Sequence, residues 1–449
     1  MNKYKSFIFE KYELDVITGK IDFFYSLDDK ISFKDQLILP QAVIFSLKNK
    51  TKQNQILQNI LFNLHLIIGV TYWKTYCPRN IIINSSQLDE KQAKFWEEVY
   101  TNGLGEFYYV NKIDFRGLVS FPFSDKSNSL KKKHDVLKKE KKSLLAFGGG
   151  KDSLVSVELL QKNNVDFDLF SLRDSIIQKE TTDVVGRPRL IIERNIDPKL
   201  FELNKEDAYN GHTPISIFYS FLGVLLAFLG DYQNVIFSNE ESASYGNLNY
   251  LGMEVNHQYS KSLKSEINFQ EYIKDFINPE LNIFSLLRPL SELKITEIFS
   301  NFSKYFSVFS SCNRNFSFSK KIDNKWCCNC PKCLFVFIML AAFLEEKEVE
   351  HIFSKNLFDL PELKITFLEL LGRKNIKPLE CVGSVEEVEA ALLIICKKKK
   401  FFDSHLMKLF KKEIFPGIKN KNQLIEKVLS IKNNFSNIPK EFHKIINNV

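Results

Sequence analysis

The sequence predicts an α/β protein: a parallel sheet with helices on both faces, preceded by an α+β domain and followed by a mostly helical region. Three observations carry this. Apolar strand-length segments alternate with helical patterns between Ser143 and Ser238. Alternating apolar and polar residues open the chain. Helical periodicity dominates beyond residue 310.

Taken in order, Ser6–Leu14, Lys20–Leu27 and Ile31–Leu39 alternate with a period of two and read as strands. A helical pattern follows at Gln55–Trp73, then a short strand at Asn80–Asn84 and a helix at Glu90–Thr101. These make up an N-terminal α+β domain over residues 1–124. Residues 125–142 hold eight Lys against Asp125, Asp135 and Glu140 and read as a linker. Residues 143–310 then alternate: strand Ser143–Phe147, helix Asp152–Lys162, strands Phe167–Leu172 and Arg189–Glu193, helix Ile215–Leu229 and strand Asn234–Ser238. Ligands bind beyond the carboxyl ends of such strands. The loops after Phe147, Leu172, Glu193 and Ser238 should therefore meet at one site. Residues 311–449 carry a cysteine cluster and then helices. A chain of 449 residues suits two or three domains at roughly 100–200 residues each.

Composition excludes several classes. A hydrophobic share of 44% rules out wholesale disorder. Phe is abundant but scattered through every segment. The net charge of +8 comes from the Lys-rich linker and from Lys397–Lys400. Neither run is interleaved with aromatics, so both read as solvated surface and no nucleic-acid partner is expected. Met1–Asp15 is charged throughout and has no apolar core, so no leader peptide is expected. The longest apolar run, Ile215–Leu229, falls short of the ~18 residues a span needs and reads as a buried helix, so no membrane partner is expected. Eight Cys in such a chain do not suggest a disulfide scaffold, and the cytoplasm is the expected compartment.

The sharpest motif is Phe147-Gly148-Gly149-Gly150-Lys151-Asp152-Ser153. Glycines between a strand and a helix turn backbone N–H groups toward one anion, and the helix N-terminus adds partial positive charge. Ser153 can donate a hydrogen bond, and Asp152 can cap the helix or hold Mg²⁺. This is not a Walker loop, because Asp152 follows the Lys and Leu145 stands at the first Gly position. The motif resembles the S-G-G-x-D-S loop of the PP-loop ATP pyrophosphatases, with Gly148 in place of the first Ser. That resemblance implies cleavage of ATP between the α and β phosphates and an adenylated intermediate. Arg288-Pro289-Leu290 with Lys294–Ile298 resembles a further segment of those enzymes.

Cys327, Cys330 and Cys333 form C-x-x-C-x-x-C, with Cys312 upstream. Four thiolates can close a structural zinc site, and the spacing is similar to that of 7-cyano-7-deazaguanine synthase. The alternative is four reduced cysteines in a core, and Cys328 is an extra thiol. Cys77, Cys381 and Cys396 are isolated, and each is more often a small buried hydrophobe than a nucleophile.

The whole chain resembles the ATP-dependent UDP-N-acetylmuramoyl-L-alanyl-L-glutamate epimerase family. The resemblance rests on Gly103–Phe107, Gly148–Ser153, Asn210–Pro214, Ser238–Ser244, Glu254–Gln258, Ser311–Phe316, Trp326–Cys333 and Glu380–Gly383. It implies inversion of the terminal L-Glu of a small-molecule nucleotide-linked dipeptide, using ATP and Mg²⁺. His212 and His257 are candidates for the acid and base, since they sit in polar loop-like segments and titrate near neutrality. A lone His is more often a hydrogen-bonded structural residue. Glu240 and Glu241 follow a strand; one of them is a candidate Mg²⁺ ligand or base, and a solvated acidic pair is the even alternative. Lys151, Lys261 and Arg288 are candidate partners for pyrophosphate or the substrate diphosphate. By elimination, the bulky sugar nucleotide falls between the first domain and the ATP domain. The rivals are a deazaguanine-type nucleoside- or tRNA-modifying PP-loop enzyme, a glutamine-fed amide synthetase and a non-catalytic ATP-binding module. The amide synthetase is disfavoured because Asn2 stands where an N-terminal Cys is needed.

Overall fold

The computed structural model describes residues 3–50, 55–124, 140–316, 325–433, 435 and 437–449. Most of the Lys-rich linker, with His134, lies outside the described residues. The strands are β1 (Ser6–Asp15), β2 (Lys20–Leu27), β3 (Ile31–Ile38), β4 (Asn80–Ile83), β5 (Glu140–Ala146), β6 (Phe167–Leu172), β7 (Arg189–Asn195), β8 (Tyr232–Phe237), β9 (Leu248–Tyr250), β10 (Met253–Val255) and β11 (Asn282–Ser285). One nine-stranded sheet runs β11-β8-β5-β6-β7-β3-β2-β1-β4, and β9 and β10 form a separate ribbon. The five strands from β11 to β7 are mutually parallel. β3, β2 and β1 are antiparallel, and β4 returns parallel to β1.

The α/β reading holds, with one correction. The N-terminal strands do not form a sheet of their own, because β3 pairs antiparallel with β7 through Gln36↔Asn195, Leu37↔Arg194 and Ile38↔Glu193. This pairing satisfies the edge that β7 would otherwise leave open. Arg194 and Asp35 bury an ion pair across that joint at 2.7 Å. The four-residue β11, too short to show a period, was not foreseen.

Side chains alternate across the sheet, as the pleat requires. On β5, Leu144 joins one apolar core and Leu145 the other; on β8, Val235 and Ile236 divide likewise. One face is covered by the helices Ile215–Gly230 and Gln55–Trp73 together with the rest of the N-terminal part. The other is covered by the helix Lys151–Lys162 and by C-terminal helices including Pro331–Ala341 and Val385–Lys397. Among the described residues no strand follows β11, which agrees with the helical C-terminal reading. Gln55–Trp73 is long and apolar enough to cross a membrane, but 83% of its most apolar window is buried inside the protein. It is a core helix longer than the Ile215–Leu229 run picked out from sequence.

Candidate functional site

The glycine loop lies at the carboxyl end of β5. Gly149 has φ +74°, and a Cβ there would come within 2.8 Å of Thr181 Oγ1, so only glycine fits. Gly150 caps the helix Lys151–Lys162 without a side chain. Ser153 Oγ donates to Gly150 O at 3.0 Å. Gly148, Gly150, Asp152 and Ser153 line a cleft of about 240 Å³ with Ser238 and Asn239 after β8, and with Ser310 and Ser311. The hydroxyl of Ser311 is buried with no partner among the described residues. It lies 3.0 Å from where a Gly150 Cβ would be. An orphaned donor beside a side-chain-free helix start suits an anion such as a phosphate.

Two of the four expected loops contribute no residue to this cleft. Glu193 is inside β7, which runs on to Asn195 to pair with β3. The chain after Leu172 enters the helix Ile176–Val185, which supports the loop from behind, with Gln178 Nε2 donating to Phe147 O at 3.2 Å.

Several charged candidates serve the scaffold. Lys151 does not line the cleft; it is fully buried and paired with Asp152 and Glu292. Arg288 is 2% exposed and acts as a clamp, donating to Glu240 O, Lys261 O and Glu266 Oε2, each at 2.7 Å. Glu240 is buried, and burial beside Glu292 raises its carboxyl to about 7. Glu292 is itself held at about 2, because Lys151 and Lys332 outweigh its burial. Glu241 accepts from the Tyr245 hydroxyl at 2.7 Å.

Beside this clamp, residues far apart in sequence converge. Glu106, on the short helix Gly105–Val110, accepts from His257 Nδ1 and lies 3.4 Å from His212 Nδ1. Gly103 permits this approach, since a Cβ there would lie 2.9 Å from the Cβ of Pro214, two residues after His212. The two imidazoles are 4.8 Å apart. Lys74 donates to Gly211 O, and burial lowers its amine to about 8. Burial, then the neighbouring His257, drives His212 well below its usual range, so it is neutral. On the far side of His257, Cys381 Sγ lies 3.7 Å from Nε2 and 3.3 Å from Lys261 Nζ. Four of the segments quoted for the family resemblance therefore meet here: Gly103–Phe107, Asn210–Pro214, Glu254–Gln258 and Glu380–Gly383.

The sequence reading missed Glu106, Lys74 and Cys381. The reading of Cys381 as an inert hydrophobe is corrected by its charged neighbours, which no local pattern reveals. His65 is a core residue, with Nε2 3.0 Å from Phe24 O and Nδ1 3.1 Å from Ser85 Oγ.

The sulfur atoms of Cys312, Cys327, Cys330 and Cys333 all lie within 4.8 Å of one another. Cys327 and Cys333 are 3.6 Å apart, close to the edge of a tetrahedron with ~2.3 Å metal–sulfur bonds. Cys328 points elsewhere, with Sγ 3.3 Å from Phe353 O. The donor set therefore fits a single zinc ion.

A family model for the MurL N-terminal domain matches residues 1–286, and one for the MurL C-terminal domain matches residues 308–424. The UDP-N-acetyl-alpha-D-muramoyl-L-alanyl-L-glutamate epimerase of Xanthomonas oryzae pv. oryzae is 36% identical over 429 residues, 95% of this chain and 93% of that protein. The protein of the same name from a Micromonospora species is 33% identical over 91% of this chain and 90% of its own length. That from Salinispora tropica is 33% identical over 90% of this chain and 88% of its own length.

Proposed function

The chain belongs to the MurL family, and on that premise we propose that it inverts the terminal L-Glu of UDP-N-acetylmuramoyl-L-alanyl-L-glutamate to D-Glu at the expense of ATP. The observation that carries the ATP part is the juxtaposition of two sites. Arg288 binds the carbonyl of Glu240, the residue after the cleft-lining Asn239, and the carbonyl of Lys261, whose amine contacts Cys381.

A Cα–H beside an ionised carboxylate resists removal, because the carbanion would sit against a full negative charge. In the proposed route the glutamyl α-carboxylate attacks the α-phosphorus of ATP and pyrophosphate leaves. The resulting acyl-adenylate carries no charge on the carboxyl group beside Cα and is far more acidic there. Because the glutamyl nitrogen is acylated, the activated group can also close to an oxazolone, which inverts readily. Deprotonation, protonation on the other face and hydrolysis then release AMP and the D-Glu product. Gly148, Gly150, Ser153 and Ser311 would cradle the phosphates, Asp152 would hold Mg²⁺, and Lys261 would face developing negative charge. A zinc ion in the four-cysteine site would tie the C-terminal helices to the ATP-loop side. The sugar nucleotide is assigned to the junction of the N-terminal part and the glycine-loop part, in a cytoplasmic enzyme of peptidoglycan precursor synthesis.

The test is incubation with ATP, Mg²⁺ and the UDP-linked dipeptide, followed by hydrolysis and chiral separation of Glu with AMP measured alongside. D-Glu and AMP appearing together, and only with ATP, is the expected result. AMP without D-Glu would redirect the reading to another acceptor, and D-Glu without ATP would remove the adenylate.

A further inference from the structure

Cys381 sits in the segment between the helices Lys364–Leu370 and Val385–Lys397. It belongs to the C-terminal family match, whereas His257, Lys261 and Glu106 belong to the N-terminal one. Two nitrogen donors address its sulfur, Lys261 Nζ at 3.3 Å and His257 Nε2 at 3.7 Å. The carboxylate of Glu106 engages the other ring nitrogen of His257, which leaves Nε2 to face the sulfur. The buried Oε1 of Gln258, next to His257 in the chain, has no partner among the described residues. Such an atom suits a polar ligand that completes the site.

We propose that Cys381 is the base that removes the glutamyl α proton, its sulfur held between Lys261 Nζ and His257 Nε2. The assignment rests on the epimerase reading above. The charged and titratable groups facing Cys381 are Lys261, His257 and Lys332 from other elements, with Lys377 and Glu380 on its own segment. Burial alone would push the thiol up, but Lys261 and His257 outweigh it and bring it down to about 6. Burial lowers His257, but Cys381 and Glu106 more than offset this and raise it to about 9. The other cysteines outside the four-sulfur site go the opposite way. Cys77, Cys328 and Cys396 are all raised by burial. The thiolate is the reactive form of cysteine, so one of these thiols is set apart by its charged neighbours.

The step balances without an oxidant. The Cα–H bond breaks, its proton bonds to Cys381 Sγ, and the electron pair spreads into the activated carbonyl. Water on the opposite face gives a proton to Cα, the Cys381 thiol gives its proton to solvent, and that proton neutralises the hydroxide. The sulfur ends as it began, and the α-hydrogen has come from solvent.

The experiment compares the wild type, Cys381→Ala and Cys381→Ser, with Cys396→Ala as a control outside the cluster. Each is incubated in D₂O with ATP, Mg²⁺ and the UDP-linked dipeptide, and Cα deuterium, D-Glu and AMP are measured. Loss of a general base costs about 10²–10⁴-fold, and that loss is expected in both D-Glu and Cα deuterium for the two Cys381 variants. AMP release reports in parallel whether the ATP cleft is still folded. Alkylation of wild-type Cys381 by iodoacetamide, followed by peptide mass, should rise with a midpoint near pH 6, far below the ~8.5 of an ordinary thiol. The proposal is overturned by D-Glu formation in Cys381→Ala within tenfold of wild type, by an alkylation midpoint near 8.5, or by an acyl-enzyme on Cys381. D-Glu without AMP in the wild type would break the adenylate route while leaving the exchange comparison valid. No D-Glu in the wild type would break both.

Discussion

The joint between β3 and β7 and the cluster around Cys381 both bury ionisable groups, yet they settle the cost of burial in different ways. At the joint, Arg194 meets Asp35 through two nitrogens, Nε at 3.0 Å and Nη2 at 2.7 Å. Tyr72 donates to the same carboxylate at 2.7 Å, and Arg194 Nη2 also reaches Thr71 Oγ1 at 3.1 Å. Opposite charges are matched in a planar fork. Around Cys381 the partners are a thiol, two imidazoles, a carboxylate and a half-buried lysine. The thiol of Cys381 falls to about 6 and the imidazole of His257 rises to about 9, so each favours its charged form beside the other. Saturated pairing fixes a structure, whereas groups poised around neutrality can exchange protons with a substrate.

The largest expected effect on stability comes from breaking the joint. Asp35→Ala would leave a buried Arg194 without a counter-charge, a loss of about 3–5 kcal/mol in urea unfolding. A loss below about 1 kcal/mol would show that the joint is not held by this pair, against the general cost of an unpaired buried charge.

The second effect concerns His65, the satisfied counterpart of His257. Burial lowers its pKa from 6.5 to about 4. The unfolded chain then binds the extra proton between those values and the folded chain does not, so stability falls as pH drops from 6.5 toward 4. The difference amounts to about 3 kcal/mol at 1.36 kcal/mol per pH unit. Urea midpoints between pH 4 and 7 should lose this slope in His65→Gln. An unchanged slope would assign it to carboxylates instead.

The smallest effect sharpens the comparison with a third buried polar group, the four cysteines. Four sulfurs within 4.8 Å of one another are the pattern a cation resolves, so elemental analysis should find about one zinc per chain, and chelation should lower the melting temperature. A zinc-free protein with an unchanged melting temperature would class the cluster with the cysteines of an ordinary core.

Much of this arrangement was legible in the sequence. The strand–helix alternation, the glycine turn at Gly148–Gly150 and the spacing of the four cysteines are local signals, because each is set by a period or a backbone need within a few residues. His212 and His257 could be named as candidates from their polar surroundings. Three readings did not survive placement. Lys151 is adjacent to the glycines but turns into a buried pair with Glu292. Arg288 was read as a phosphate partner and instead clamps the backbone of Glu240 and Lys261. Cys381 was read as a core filler and lies between two cationic groups.

What the sequence determined by itself was the parallel α/β core, the helical C-terminal region and the loop that begins the helix at Lys151. Those follow from side-chain periodicity and from the conformational freedom of glycine, both properties of neighbouring residues. Tertiary structure alone decided that the N-terminal strands extend the central sheet, and that Glu106, His257 and Cys381 converge from positions 106, 257 and 381. Strand pairing and proton affinity depend on what lies across the fold, through hydrogen bonds and charges whose partners are more than a hundred residues away.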